Sequence, residues 1–223
     1  MPAVWKRAYL VRRNPRLTAA EFPGRWKQHS ELGGTFPEVV ARNRKLVYCL
    51  VDHAAGERIG ADRTYDGIGM LWLRSPEMLD APIVDPTAIP TMRADELKVF
   101  HQHAFASSVM MEEHILAEAG APSVAVLTFV RRNPRLTRAD FAAAWGSGMS
   151  AGPGPATLRR HVRSTAVLDP TIDLDGMMEW WFDTVGDAVA ACAGADPLAG
   201  EADLVDVGAT MRFLTAICHQ RQS

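Results

Sequence analysis

The chain has 223 residues and a mass of 24.4 kDa, 48% hydrophobic and 22% charged, which is ordinary for a globular protein with ample material for a core. A net charge of −2 and a pI near 6.4 give no electrostatic footprint for nucleic acid or for an anionic membrane. Trp5, Lys6, Arg7 and Arg12 break up any signal-like start, no apolar run is long enough for a membrane span, and three scattered cysteines (Cys49, Cys192, Cys218) fit a reducing cytoplasm.

In chain order, "VWKRAYLVRR" opens as a β-rich run and turns at Pro15. Thr18 and Glu21 then form a capping box at a helix start. On that helix Phe22, Trp26, His29 and Gly33 share one stripe. A second strand follows at Lys45–Asp52, a third in "YDGIGMLWL" (Tyr65–Leu73), a helix start at Ser75-Pro76-Glu77, and a closing strand near Ser108–Leu116. The octapeptide Val11–Thr18 ("VRRNPRLT") then returns letter for letter at Val130–Thr137.

The same offset matches Phe22 with Phe141 and Trp26 with Trp145. Further on, Asp66-Gly67 answers Asp175-Gly176, Trp72 answers Trp181, and a helix start at Thr184–Asp187 answers Ser75–Glu77. "RSTAVLD" (Arg163–Asp169) and Arg212–His219 supply the remaining strands. Matches this widespread are the mark of duplication, with a first repeat at 1–119 and a second, degenerate one at 120–223. Each repeat reads β-α-β-β-α-β, the ferredoxin-like unit, whose antiparallel sheet carries helices on one face only. Two such sheets can bury their bare faces together, so the expected product is an α+β fold, a barrel-like pseudo-dimer within one chain.

His29 on an apolar stripe has two readings: a buried imidazole bonded to a backbone carbonyl, or a general acid/base tuned by its surroundings. The second repeat keeps Trp145 but has Gly148 at the His29 position, inside the glycine-rich stretch Trp145–Gly154, so its helix should be short or broken. Strand alternation groups Asp175, Met177, Glu179 and Trp181 on one face, which makes Glu179 either a second candidate for chemistry or a carboxylate at the rim or bonded to Arg. Tyr9 faces any cavity if Ala8 and Leu10 face the helices. His101 and His103 could hold a metal only if both lay on one strand, and no further ligand sits at a fixed spacing from them. His114 and His219 end corresponding strands, and Met70, Met110, Met111, Met177 and Met178 serve as core filler or as a pliable pocket lining. GxSxG, HExxH and CxxC are all missing from the sequence, which weakens hydrolase, metalloprotease and thiol-redox readings.

The segment Arg13–His29 ("RNPRLTAAEFPGRWKQH") and the "YDG…LW" strand resemble the EthD-like family of the dimeric α+β barrel superfamily. The resemblance spans both repeats. It implies ferredoxin-like units packed sheet to sheet around a cavity, with the family's helix Trp-x-x-His falling on Trp26 and His29 and its Asp-Gly-x-x-Glu-x-Trp strand falling on Asp175, Gly176, Glu179 and Trp181. The implied activity is cofactor-independent lyase, cyclase or isomerase chemistry on a small hydrophobic, carbonyl-bearing molecule held inside the barrel. His29, Glu179 and Tyr9 would be catalytic, and Trp26, Trp72, Trp181, Met70 and His114 would contact substrate. The alternatives are a non-catalytic carrier of a hydrophobic metabolite and a haem-dependent or cofactor-free oxygenase. A homodimer of the pseudo-dimers is left open, and no metal, nucleic acid or membrane partner is expected.

Overall fold

The computed structural model describes residues 4–147, 154–167 and 172–222. Its strands are β1 (Trp5–Val11), β2 (Asn43–Val51), β3 (Gly67–Leu73), β4 (Ser108–Glu118), β5 (Val124–Val130), β6 (Arg160–Ala166), β7 (Gly176–Phe182) and β8 (Met211–Gln222). Its α-helices are α1 (Phe22–Gly34), α2 (Pro37–Arg42), α3 (His53–Glu57), α4 (Ala88–Val99), α5 (Arg138–Ser147) and α6 (Val185–Gly194). All strand pairs are antiparallel, and the strands close into one barrel in the order β1-β3-β2-β8-β5-β7-β6-β4. The first half of the chain supplies β4-β1-β3-β2 and the second β8-β5-β7-β6; ladders β2–β8 and β4–β6 seal the two seams. Closure leaves no exposed sheet edge.

The duplicated octapeptide is scaffold at each of its ends. Asn14 and Asn133 donate their backbone N–H groups to Val99 and Leu204, both at 2.8 Å. Arg13 and Arg132 bind Asp66 and Asp175 of the Asp-Gly motifs through backbone and guanidinium alike, the two backbone bonds being 2.9 Å. Thr18 and Glu21 cap each other reciprocally, and in the second half Asp140 donates its N–H to the Thr137 hydroxyl, which itself donates to the Asp140 carboxylate. The same eight letters thus serve the same strand-end, turn and cap contacts in both halves.

Two expectations change. The Ser75-Pro76-Glu77 start yields only a single 3₁₀ turn, Pro76–Leu79, and the helix proper begins at Ala88. Pro82 and Pro86 lie between, and each removes a donor that a continuing helix needs. The barrel interior is also packed, not hollow. Leu10, Val47, Ile68, Met70, Met111, Leu127, Phe129, Met177 and Phe213 fill it, each almost fully buried. The last two positions of the Arg163–Asp169 strand, 168 and 169, and the position of Gly148 lie outside the described residues.

Candidate active site

A cavity of about 500 Å³ lies outside the barrel, between the outer face of β1, β2 and β3 and the helices α1 and α4. Its floor is made by side chains that alternate away from the barrel: Arg7 and Tyr9 of β1, Leu46 and Tyr48 of β2, and Leu71 of β3. Tyr9 therefore faces the helices and Ala8 and Leu10 face the barrel, the reverse of the premise under which Tyr9 was expected to meet a cavity. Tyr9 meets one all the same, because the cavity lies on the helix side. Its ring lies flat over Gly69, its partner in the β1–β3 ladder; a Cβ at Gly69 would sit 2.1 Å from that ring. A neighbouring glycine, Gly67, gives the same clearance to the indole of Trp26.

Trp26 is fully buried beneath the cavity. It stacks on Tyr48 with ring centroids 4.4 Å apart and on Phe22 at 5.2 Å, with Phe100 edge-on. This aromatic cluster fixes the orientation of α1, so that His29, one turn on from Trp26, turns its ring to the cavity wall. His29 Nδ1 lies 2.9 Å from Asp95 Oδ2 on α4, and Arg25 holds the other Asp95 oxygen. Burial draws the Asp95 carboxyl upward, but hydrogen bonds and charge from Arg25 and His29 outweigh it and hold the group below the usual carboxylate range. A carboxylate so placed fixes Nδ1 as the protonated nitrogen and leaves Nε2 to act on a ligand.

Opposite polar groups complete the walls. His103 Nδ1 lies 2.8 Å from Glu96 Oε2, and both line the cavity. Burial pushes the phenols of Tyr9 and Tyr48 above their ordinary value, so both stay protonated donors. Strand β8 reaches in from the other half: Arg221 donates to the Ser30 carbonyl at 3.1 Å, and His219 Nε2 lies 3.1 Å from the Ser30 hydroxyl.

Glu179 is elsewhere. Fully buried in the barrel, it is bonded to Lys6 and receives the Trp181 indole N–H at 2.8 Å. Lys6 also meets Glu113 at 2.6 Å, and Glu113 accepts from Trp72 at 3.0 Å and from Arg160 at 3.0 Å. Burial would raise the Glu113 carboxyl, yet Lys6 and Arg160 bring it down to about 2. Trp72, Trp181 and Met70 belong to this packed interior, and Trp72 and Glu113 floor a shallow depression of about 300 Å³ at the barrel end. His114 on β4 packs near Gly146 of α5. Of the residues singled out from sequence, the cavity thus unites His29 and Tyr9, with Trp26 supporting them from below; the other five line no part of it. Asp95, Arg25, Arg7, Tyr48 and Glu96 were not foreseen. His103 was noted only as a metal candidate, and among the described residues no group of three His, Cys, Asp or Glu could hold a metal ion.

No protein-family model and no curated protein sequence matches the chain. Solved structures do match. A candidate monooxygenase from Fusobacterium nucleatum superposes with a TM-score of 0.59 at 8% identity, covering 100% of this chain and 95% of its own. An anthrone oxidase-like protein gives 0.59 at 12%, covering 100% and 94%, and a candidate chlorite dismutase gives 0.50 at 10%, covering 96% and 94%. These likenesses show the fold alone, an α+β architecture around a closed antiparallel eight-stranded barrel. His29 backed by Asp95 is a donor pair of the kind that ligates haem iron. The walls do not fit that group: a macrocycle needs two apolar faces, whereas Arg7, Arg93, Glu96, His103 and Arg221 all line this cavity. Among the described residues no helix is long and apolar enough to cross a membrane.

Proposed function

We propose that the chain is an enzyme of the EthD-like type, made of two ferredoxin-like repeats (1–119 and a degenerate 120–223), working in the cytoplasm without a cofactor. It would move a proton on a small, largely apolar, carbonyl-bearing molecule held in the cavity between the first repeat's sheet and helices. The observation that carries this reading is His29, oriented by a clamped Asp95 on the wall of a cavity of about 500 Å³.

In this reading Nε2 of His29 removes a proton from the carbon beside the carbonyl, and Asp95 stabilises the imidazolium that results. Tyr9 and Tyr48, protonated on the cavity floor, donate to the oxygen on which enolate charge develops. Returning the proton elsewhere on the carbon skeleton gives isomerisation, and attack of the carbanion on a second carbonyl gives cyclisation. Glu179 has no part in this sequence of steps, since Lys6 and Trp181 occupy it inside the barrel.

A second reading is favoured by the fold neighbours named monooxygenase and anthrone oxidase-like. The same carbanion, formed by the same histidine, could meet dioxygen as co-substrate in place of an internal carbonyl. Both readings share their first step, and that step is the one to test. Wild type should catalyse exchange of deuterium from D₂O into the carbon beside the carbonyl of aryl ketones and β-diketones, followed by NMR. His29→Ala should lower that rate by about 10²–10⁴-fold, with an unchanged melting temperature. Equal exchange by both proteins removes His29 from catalysis. Binding without any exchange makes the protein a carrier.

A further inference from the structure

Two charged side chains on the cavity wall have no partner among the described residues: Arg93, which is exposed, and Arg7, which is half-buried and so stands in need of an explanation. Arg7 projects from the middle of β1 into the space between sheet and helices, half-buried, and lines the cavity beside Tyr9. Among the described residues no hydrogen bond or ion pair to its side chain is found, whereas the neighbouring Arg25 binds Asp95 and Arg221 binds the Ser30 carbonyl. The carboxylates at hand are already engaged: Asp95 by Arg25 and His29, Glu96 by His103. Burial and nearby Arg42 draw the guanidinium pKa down, against smaller opposing pulls from Tyr9 and Glu96. At the matching position the second half has Val126, buried in an apolar cluster, so the barrel itself does not need a cation at this point.

An unpaired guanidinium opening on a cavity is a receptor for a planar oxyanion, because its forked donors match the two oxygens of a carboxylate. Beside it the walls are apolar, through Val39, Leu46, Leu71, Ile89 and Met92. We propose that the ligand of this cavity is an acid, an apolar molecule that carries a carboxylate, and that Arg7 receives the carboxylate while the rest of the molecule lies on the apolar walls. The inference rests on the reading of this cavity as the substrate site and narrows its substrate from carbonyl compounds to keto acids or their close analogues. A neutral ketone would offer Arg7 only the charge that develops during reaction, and would then give no ground-state preference for acids.

The test is calorimetric binding of aryl-alkanoic acids, from phenylacetate to 3-(2-naphthyl)propanoate, each against its own methyl ester. Wild type should bind at least one acid about tenfold or more tightly than its ester, the range expected for a hydrogen-bonded charge pair. Arg7→Met should reduce that gap to under about twofold, chiefly by weakening the acid, and should melt at a higher temperature because an unpaired, half-buried charge is gone. The proposal is overturned if no acid outbinds its ester, if Arg7→Met weakens acid and ester alike, or if Arg7→Met melts lower, which would make the guanidinium part of the scaffold. An acid preference that survives while His29→Ala leaves deuterium exchange unaffected would sink the catalytic reading alone.

Discussion

The two halves of this chain place the same sheet surface under the same kind of helix and use it in opposite ways. In the first half the pair Tyr9–Gly69 leans a ring over a bare backbone and opens a cavity; in the second the corresponding pair is Thr128–Met178, and the methionine takes the space. Tyr48, stacked on Trp26, is replaced by Arg163, which sits over Trp145 with 4.5 Å to the ring and is paired with Glu201. Leu46 and Leu71 become His161 and Trp180. The filled face is not perfectly satisfied: among the described residues, Thr128 Oγ1, His161 Nε2 and Trp180 Nε1 are buried with no hydrogen-bond partner. One half leaves a cavity between sheet and helices, and the other fills that space with bulkier side chains.

The comparison can be broken most forcefully where the halves meet. Lys6 corresponds to Ala125 and Glu179 to Met70, so their contact is made once, across the halves. Lys6→Met should cost about 3–5 kcal/mol of stability in denaturant unfolding, since a buried carboxylate loses its principal partner. Lys6→Met combined with Glu179→Met should recover a good part of that loss. A single Lys6→Met that unfolds like wild type would mean that Arg160 and Trp181 suffice.

A smaller effect separates the two faces by pH. Burial, helped by Arg163, lowers the His161 pKa to about 4 from 6.5. The unfolded chain then binds a proton that the folded one refuses, so stability from this group is complete above about pH 6.5 and falls as pH drops toward 4. The loss amounts to about 3 kcal/mol by linkage. His161→Leu, which copies Leu46 of the first half, should flatten the acid limb of a stability–pH profile by a comparable amount while leaving neutral pH little changed. An identical limb in both proteins would refute the assignment.

Smaller still is the exchange of the floor pair. Gly69→Met alone should cost about 1–3 kcal/mol through overpacking against Tyr9. Tyr9→Thr added to it rebuilds the second half's pair, and the double variant should regain about 1 kcal/mol or more of coupling while losing ligand binding. Additive costs would show that Tyr9 and Gly69 are not packed as a unit.

Much of the scaffold was legible because it is written in local rules. The capping pairs Thr18–Glu21 and Thr137–Asp140 form as spacing requires, and the stripe Phe22, Trp26, His29, Gly33 is the buried face of α1. The side of the sheet on which the cavity lies was not legible. Strand β1 reads Lys6-Arg7-Ala8-Tyr9-Leu10, with a cation and an apolar residue in each alternating set, so pattern alone assigns neither face. Lys6 is fully buried only because Glu113 and Glu179 converge on it from positions 107 and 173 residues away. His29 was legible as a candidate, but its partner Asp95 lies 66 residues on, in a helix that starts beyond two prolines. Long-range pairing makes the site, and a single sequence carries no mark of it.

The seams have a consequence for how the chain holds together. Halves joined by the ladders β2–β8 and β4–β6, with Lys6 bonded to Glu179 and Arg160 to Glu113 across them, do not depend on the peptide link between them. That link, Ala119–Ser123, runs mostly exposed. A single proteolytic nick there should leave the barrel intact and still melting in one transition, because opening either seam uncovers charges that water cannot reach in the folded state. The gene could therefore be divided at this point, and its two products, made separately, would be expected to find each other.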